Sequence, residues 1–296
     1  MSQKKRIFFG AGVFVVLALV GWLGGCLQSP KPNTPYSSPL WLNWPLDHTG
    51  THRVQILVPA GYNMSAGAEW MEAVIYPHGR PTDPHNVQQE MLLETLWPEM
   101  GPHTVGNNQS FEVPGMGRML MILVGSGAVD RAIHARDRLH IDLDTDKFFL
   151  KQVCIPPPSL PGKAICHDLD HLYPKPGKFG LKRVGVDFHR FPDVPKAEYR
   201  HYNDLYYTPD MGADMQTYVS CTADEVGPTV HGIAYNPLCQ QYFIFSPLNA
   251  VVQVTYRRVY LKDWSGIQSA VGHFLQSTIV SDENIPRTRV QERWSK

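Results

Sequence analysis

Residues 251–261 (VVQVTYRRVYL) constrain the fold more than any other stretch of this chain. Val252, Val254, Tyr256 and Arg258 face one way there, and Val251, Gln253, Thr255 and Arg257 the other. A period of two sustained over that length predicts a strand. Similar strand-like runs occupy 52–59, 71–76, 118–124, 138–150, 182–191, 215–221 and 238–245. The 25 prolines and 24 glycines between them suit turns and sheet edges, not a helical bundle. Only two segments carry helical spacing. Residues 86–100 place Val87, Met91, Leu92 and Leu96 on one stripe. Residues 262–279 do the same with Trp264, Ile267, Val271, Phe274, Leu275 and Thr278. The expectation is an α+β fold, mainly antiparallel sheet with few helices, its C-terminal helix packed on the sheet and Tyr256 and Trp264 in the core.

The N-terminus says where such a domain works. Lys4, Lys5 and Arg6 precede an apolar run over 7–23, and small residues follow, the layout of an export signal. Leu23-Gly24-Gly25-Cys26 resembles the lipobox of bacterial lipoproteins. That resemblance implies cleavage before Cys26 and lipidation of its thiol, with multiple acyl chains giving a stable anchor. Leu27 stands where an Asp would mark inner-membrane retention, which implies the outer membrane with the body facing the periplasm. The alternative is an uncleaved single-pass inner-membrane anchor, since the run is at the lower limit for a hydrocarbon core of ~30 Å. The expected organisation is a signal peptide over 1–25, a flexible Pro- and Ser-rich tether over 26–40, and one periplasmic domain over 41–280. That domain either is undivided or consists of two subdomains meeting near 180, and a polar tail covers 281–296.

Cysteine usage agrees with export. Beyond Cys26, the cysteines are Cys154, Cys166, Cys221 and Cys239. An even number in an oxidising compartment suggests disulfides, and four cysteines allow three pairings. The local pairing, Cys154–Cys166 and Cys221–Cys239, closes short loops at about 3 kcal/mol each and is the one expected. Four buried free thiols are the alternative.

Signals for chemistry are weak. In Cys166-His167-Asp168-Leu169-Asp170-His171 two histidines stand four apart, but Pro174 and Pro176 follow, so a solvated loop is expected and no metal site. Asp142, Asp144 and Asp146 open like a calcium loop, yet Lys147 replaces the required Gly and Val153 the closing Glu. They read as the wet face of a strand. Gly125-Ser126-Gly127 does not meet the Gly-x-Ser-x-Gly elbow, and His78-Gly79-Arg80 reads as a strand-ending turn. No catalytic residue and no cofactor is assigned. Formal net charge is zero and the pI about 7.2, which argues against a nucleic-acid partner.

The C-terminal third resembles a known family. Cys221 and Cys239 flank a turn-rich insertion, followed by a strand ending Tyr256-Arg257-Arg258-Val259-Tyr260-Leu261 and a helix opening Lys262-Asp263-Trp264. This order resembles exported bacterial immunity proteins of type VI secretion, in particular the lipoprotein partners of secreted phospholipase effectors. The resemblance covers roughly residues 215–280 and the lipobox. It implies a non-catalytic protein that binds and inhibits a secreted lipase effector. Aromatic and Arg side chains in turn-rich segments are the candidate contacts: Phe188, Arg190, Tyr199, Tyr202, Tyr206 and Tyr207. A structural lipoprotein of a secretion or pilus machine is the competing expectation, and a hydrolase or metal site at 166–171 the third.

Overall fold

The structure, a computed structural model, describes residues 39–47, 52–62, 90–112, 117–127, 134–155, 165–168, 172–190, 202–208, 215–226, 229–230, 233–234 and 236–280. Its strands in chain order are β1 (Leu40–Pro45), β2 (Arg53–Val58), β3 (Glu90–Leu96), β4 (Met119–Ser126), β5 (Gln152–Ile155), β6 (Ile165–Asp168), β7 (Tyr173–Lys178) and β8 (Leu181–Gly185). They continue with β9 (Asn203–Tyr207), β10 (Thr217–Thr222), β11 (Thr229–Val230), β12 (Ile233–Ala234), β13 (Leu238–Phe245), β14 (Ala250–Arg257) and β15 (Ile279–Val280). Three α-helices are described: the short α1 (Asn108–Glu112), α2 (Ala135–Lys151) and α3 (Trp264–Thr278).

An antiparallel eight-stranded sheet in the order β3-β4-β14-β13-β10-β9-β8-β7 forms the body. A three-stranded sheet, β1-β2-β15, lies beside α3 and shares its core. The architecture is therefore α+β, mostly antiparallel, with the C-terminal helix on the sheet as the sequence predicts. Both faces of β14 are used, which explains its unbroken apolar character. Val252, Val254 and Tyr256 enter the larger core with Ile122, Val124 and Phe243, while Val251 enters a second core. Ile267, Val271 and Leu275 of α3 are fully buried in the larger one, each contributing on the order of 1.5–3 kcal/mol.

Several polar groups of this larger core are paired, although among the described residues the Tyr206 hydroxyl has no hydrogen-bond partner. The Tyr256 hydroxyl donates to Gln241 Oε1 at 3.0 Å. Gln241 Nε2 donates to the Trp264 carbonyl and to Gln268 Oε1, both at 3.1 Å, tying α3 to the sheet. Trp44 Nε1 donates to the Leu248 carbonyl at 2.9 Å across a long sequence separation. Cys221 and Cys239 face each other across β10 and β13 and are joined by a buried disulfide, one of the two expected. The β5–β6 register places Cys154 opposite Cys166.

Two periodicity readings are reversed. The helix expected over 86–100 is strand β3, paired with β4 from Glu90↔Gly125 to Leu96↔Met119. Met91 and Leu93 are its buried face, and Leu92 lies on the other. The strand expected over 138–150 is helix α2. Its buried positions, Ala135, Leu139, Leu143 and Leu150, follow a helical spacing that the alternating Asp142, Asp144 and Asp146 obscure. Asp142 and Asp146 share one side of that helix, while Asp144 is largely exposed.

Smaller differences concern ends. The strand expected over 182–191 stops at Gly185, and Phe188–Arg190 form a 3₁₀ turn. The strand expected through 261 stops at Arg257, before a 3₁₀ turn over Arg258–Asp263. Residues 165–168, expected in a loop, form β6. The strand expected at 71–76, the tether and the tail fall outside the described residues.

Candidate functional site

Lys178-Phe179-Gly180-Leu181 closes the β7–β8 hairpin, with Lys178 paired to Leu181. Phe179 has φ +53° and Gly180 φ +80°. Two successive positive φ values match the twist of flanking strands, and the first position normally takes Asn or Asp. A bulky aromatic there is a steric outlier, costing roughly 1–2 kcal/mol. Strain of this kind persists only where the surroundings over-determine it. Yet the Phe179 side chain is not recovering that cost by burial, since it is 52% exposed.

Trp264, the first residue of α3, donates from Nε1 to the Phe179 carbonyl at 3.1 Å. Val259 is 60% exposed on the 3₁₀ turn leading into Trp264. Lys178, Lys182 and Lys262 are also exposed. The hairpin tip and the start of α3 thus present apolar side chains among basic ones.

A buried charge network holds the hairpin. Asp204 is fully buried. Its carboxylate accepts from Arg183 Nη2 at 2.5 Å, Lys175 Nζ at 2.8 Å and the Asp224 backbone N–H at 3.0 Å. Arg183 also pairs with Asp224 at 3.0 Å, and Lys175 with Glu225 at 2.9 Å. Lys178 pairs with Asp224. The Arg258 guanidinium donates to the carbonyls of Thr222, Ala223 and Val226. Gly185 is required at its position, because a Cβ there would collide with Asp204 Oδ1.

The electrostatics follow. Burial disfavours the charge on Arg183, but Asp204 and Asp224 outweigh it and hold its pKa above the ordinary value. Burial would likewise raise Asp224, and Lys178 and Arg183 outweigh it, holding that carboxyl below its usual range. Removing a partner from such a network leaves the remaining buried charges undercompensated, so the network ties the hairpin to the sheet energetically.

The contacts expected from sequence lie mostly behind this surface. Tyr206 is fully buried, with the Arg183 guanidinium 5.7 Å from its ring centroid. Phe188 and Tyr202 are buried as an edge-on pair with centroids 5.6 Å apart, and Lys175 Nζ lies 5.3 Å over the Phe188 ring. Tyr207 is half-buried. Arg190 is exposed, its guanidinium 4.6 Å over the Tyr173 ring. Tyr199, like Cys26, falls outside the described residues. Phe179 was not among the sequence candidates. Pro174 and Pro176 disguise β7, which tolerates them as the sheet's edge strand. The legible signal would have been Phe179-Gly180 as a two-residue turn.

Among the described residues, no group of three His, Cys, Asp or Glu side chains is placed to hold a metal ion. No family model and no curated protein matches this chain. Among solved structures, an immunity protein of the Stenotrophomonas maltophilia type IV secretion system aligns with 86% of this chain and 100% of its own, at 17% identity and a TM-score of 0.49. A likeness at that level carries no argument about function.

Proposed function

We propose that this chain is an exported, membrane-tethered immunity protein that binds and inhibits a secreted antibacterial phospholipase of type VI secretion. The observation that carries the reading is Phe179. An aromatic held at positive φ, half in solvent, on a hairpin braced by a buried ion network costs stability without being buried in return. Aromatic anchors in rigid settings are where protein–protein binding energy concentrates. Val259 and Trp264 extend the apolar contact, and the exposed Lys262 complements an acidic rim on the partner. The lipobox-like Leu23–Cys26 stretch supports a lipid anchor on Cys26 in the outer membrane, facing the periplasm. The segment over 26–40 would then serve as the tether.

The test is capture of partners by the tagged full chain, extracted from native membranes in mild detergent. A stoichiometric secreted phospholipase whose activity falls in the complex is expected. Phe179→Ala should weaken that complex about 30-fold, the equivalent of about 2 kcal/mol. Recovery of secretion- or pilus-machine subunits in its place would make the chain a structural lipoprotein. Cys26→Ser should release the protein from membranes, and retention after that substitution would establish an uncleaved helix.

A further inference from the structure

On the opposite face of the large sheet, a cleft of about 410 Å³ opens between α2 and strands β3, β4, β13 and β14. That volume lies within the range of small-molecule sites. The described residues lining it include Glu90, Asp142 and Asp146 against a single base, Arg138, whose Nε bonds Asp142 Oδ1 at 3.0 Å. One wall is aromatic. Tyr242 lines the cleft and is backed by Tyr218, the rings stacked with centroids 4.7 Å apart and planes 12° from parallel.

Two buried polar atoms here lack a hydrogen-bond partner: Asp146 Oδ2 and the hydroxyl of Tyr218, a fully buried residue. The two groups face each other, and the Tyr218 hydroxyl offsets part of what burial costs the Asp146 carboxylate. A carboxylate withdrawn from water and only partly compensated by one hydroxyl is expensive unless something else satisfies it.

We infer that this cleft binds an organic cation, an alkylguanidinium or alkylammonium group, with Asp146 as its counter-charge and the Tyr242 ring as its stacking wall. A cation over an aromatic face beside a desolvated carboxylate gains from both interactions. Arg138 already pairs with Asp142, and among the described residues no three acidic, Cys or His side chains are placed to hold a metal ion. The site is independent of the Phe179 surface and of the inhibitor reading.

Binding should also move a proton. The groups facing Asp146 are Asp142 and Arg138 from its own helix, Glu90 from β3, Tyr218 from β10 and Tyr242 from β13. Burial pushes the Asp146 carboxyl up to about 6 and both tyrosine hydroxyls well above their ordinary value. A bound cation favours the ionised carboxylate and so expels the proton near that pH.

The experiment is calorimetric titration of the full chain, in detergent, with agmatine. Sub-millimolar binding at pH 7.5 is expected. Asp146→Asn should weaken it at least tenfold, and Asp144→Asn, on an exposed position of the same helix, should leave it unchanged. Near pH 6 the measured heat should depend on the ionisation enthalpy of the buffer, reporting proton release. Calcium chloride at millimolar concentration should not displace agmatine. No binding at 5 mM agmatine, equal affinity in Asp146→Asn, or displacement by calcium would each overturn the assignment.

Discussion

The two faces of the eight-stranded sheet are built to different standards. The face under α3 is closed by a helix and a second sheet, and its Trp44, Tyr256 and Gln241 polar groups are bonded. Among the described residues, the face under α2 is covered by that one helix. Four of the six buried side-chain atoms without a partner among the described residues belong to that face, on Asp146, Tyr218 and Thr255 in or beside the cleft and on His140 of the helix. The other two, Arg183 Nε and the Tyr206 hydroxyl, lie on the closed face. The first face supplies stability, including the buried network that braces the hairpin. The second leaves polar groups waiting for a partner, which stability alone does not require.

The sharpest way to break this contrast is to damage the closed face. Asp204→Ala would remove the fully buried carboxylate shared by Arg183 and Lys175, leaving them only the partly exposed Asp224 and Glu225 as acidic partners. It should cost about 3 kcal/mol, read as a lowered urea midpoint with unchanged slope. Replacing Cys221 and Cys239 together by Ala should cost about 3 kcal/mol, since the bridge spans 18 residues of chain. An unchanged midpoint in either variant would mean that the closed face does not carry the fold.

The open face should behave in the reverse sense. An unfolded Asp titrates near 3.9, whereas Asp146 in the folded chain titrates at about 6. Above pH 6 both states are ionised and the folded state bears the full burial cost. As pH falls through 6, the folded state takes up a proton that the unfolded chain does not, so stability rises. Glu94, also pushed up to about 6 by burial, adds in the same direction. Wild-type stability should therefore increase from pH 7.5 toward 5. Asp146→Asn should gain on the order of 1 kcal/mol at pH 7.5, a value discounted for solvent in the cleft, and nothing at pH 4. A loss of stability at pH 7.5 would show that the carboxylate is satisfied after all.

The smallest stability effect is expected at the hairpin tip. Phe179→Asn relieves the positive-φ strain and should leave the thermal midpoint unchanged or slightly raised, by less than about 1 kcal/mol. The same variant should lose partner binding. A destabilised Phe179→Asn would return that ring to a structural role.

Where the pattern was strong, the fold was legible. The alternation of β13 and β14 and the α3 stripe reappear almost residue for residue, and Cys221 meets Cys239 as local pairing requires. The failures at β3 and α2 have one cause. In β3, Met91, Leu92 and Leu96 fit a helical stripe, but an extended segment hydrogen-bonded along β4 satisfies more backbone groups than an isolated turn of helix would. In α2, acids at alternate positions imitate a strand, although the leucines beneath them keep a helical beat. The aromatic candidates at 188–207 were sensible by composition, but burial is a property of neighbours. Tyr206 goes under Arg183 only because β8 and β9 pair.

By itself, then, the sequence determined the class of fold, the position of its C-terminal helix and one disulfide, because these depend on local period and short-range closure. The tertiary structure alone decided which charges meet at Asp204, that Phe179 stands outside while Tyr206 lies inside, and that Asp146 is withdrawn from water beside Tyr218. Those outcomes depend on contacts between residues far apart in the chain, where the dielectric setting of a side chain is set by what packs around it and not by its neighbours in sequence.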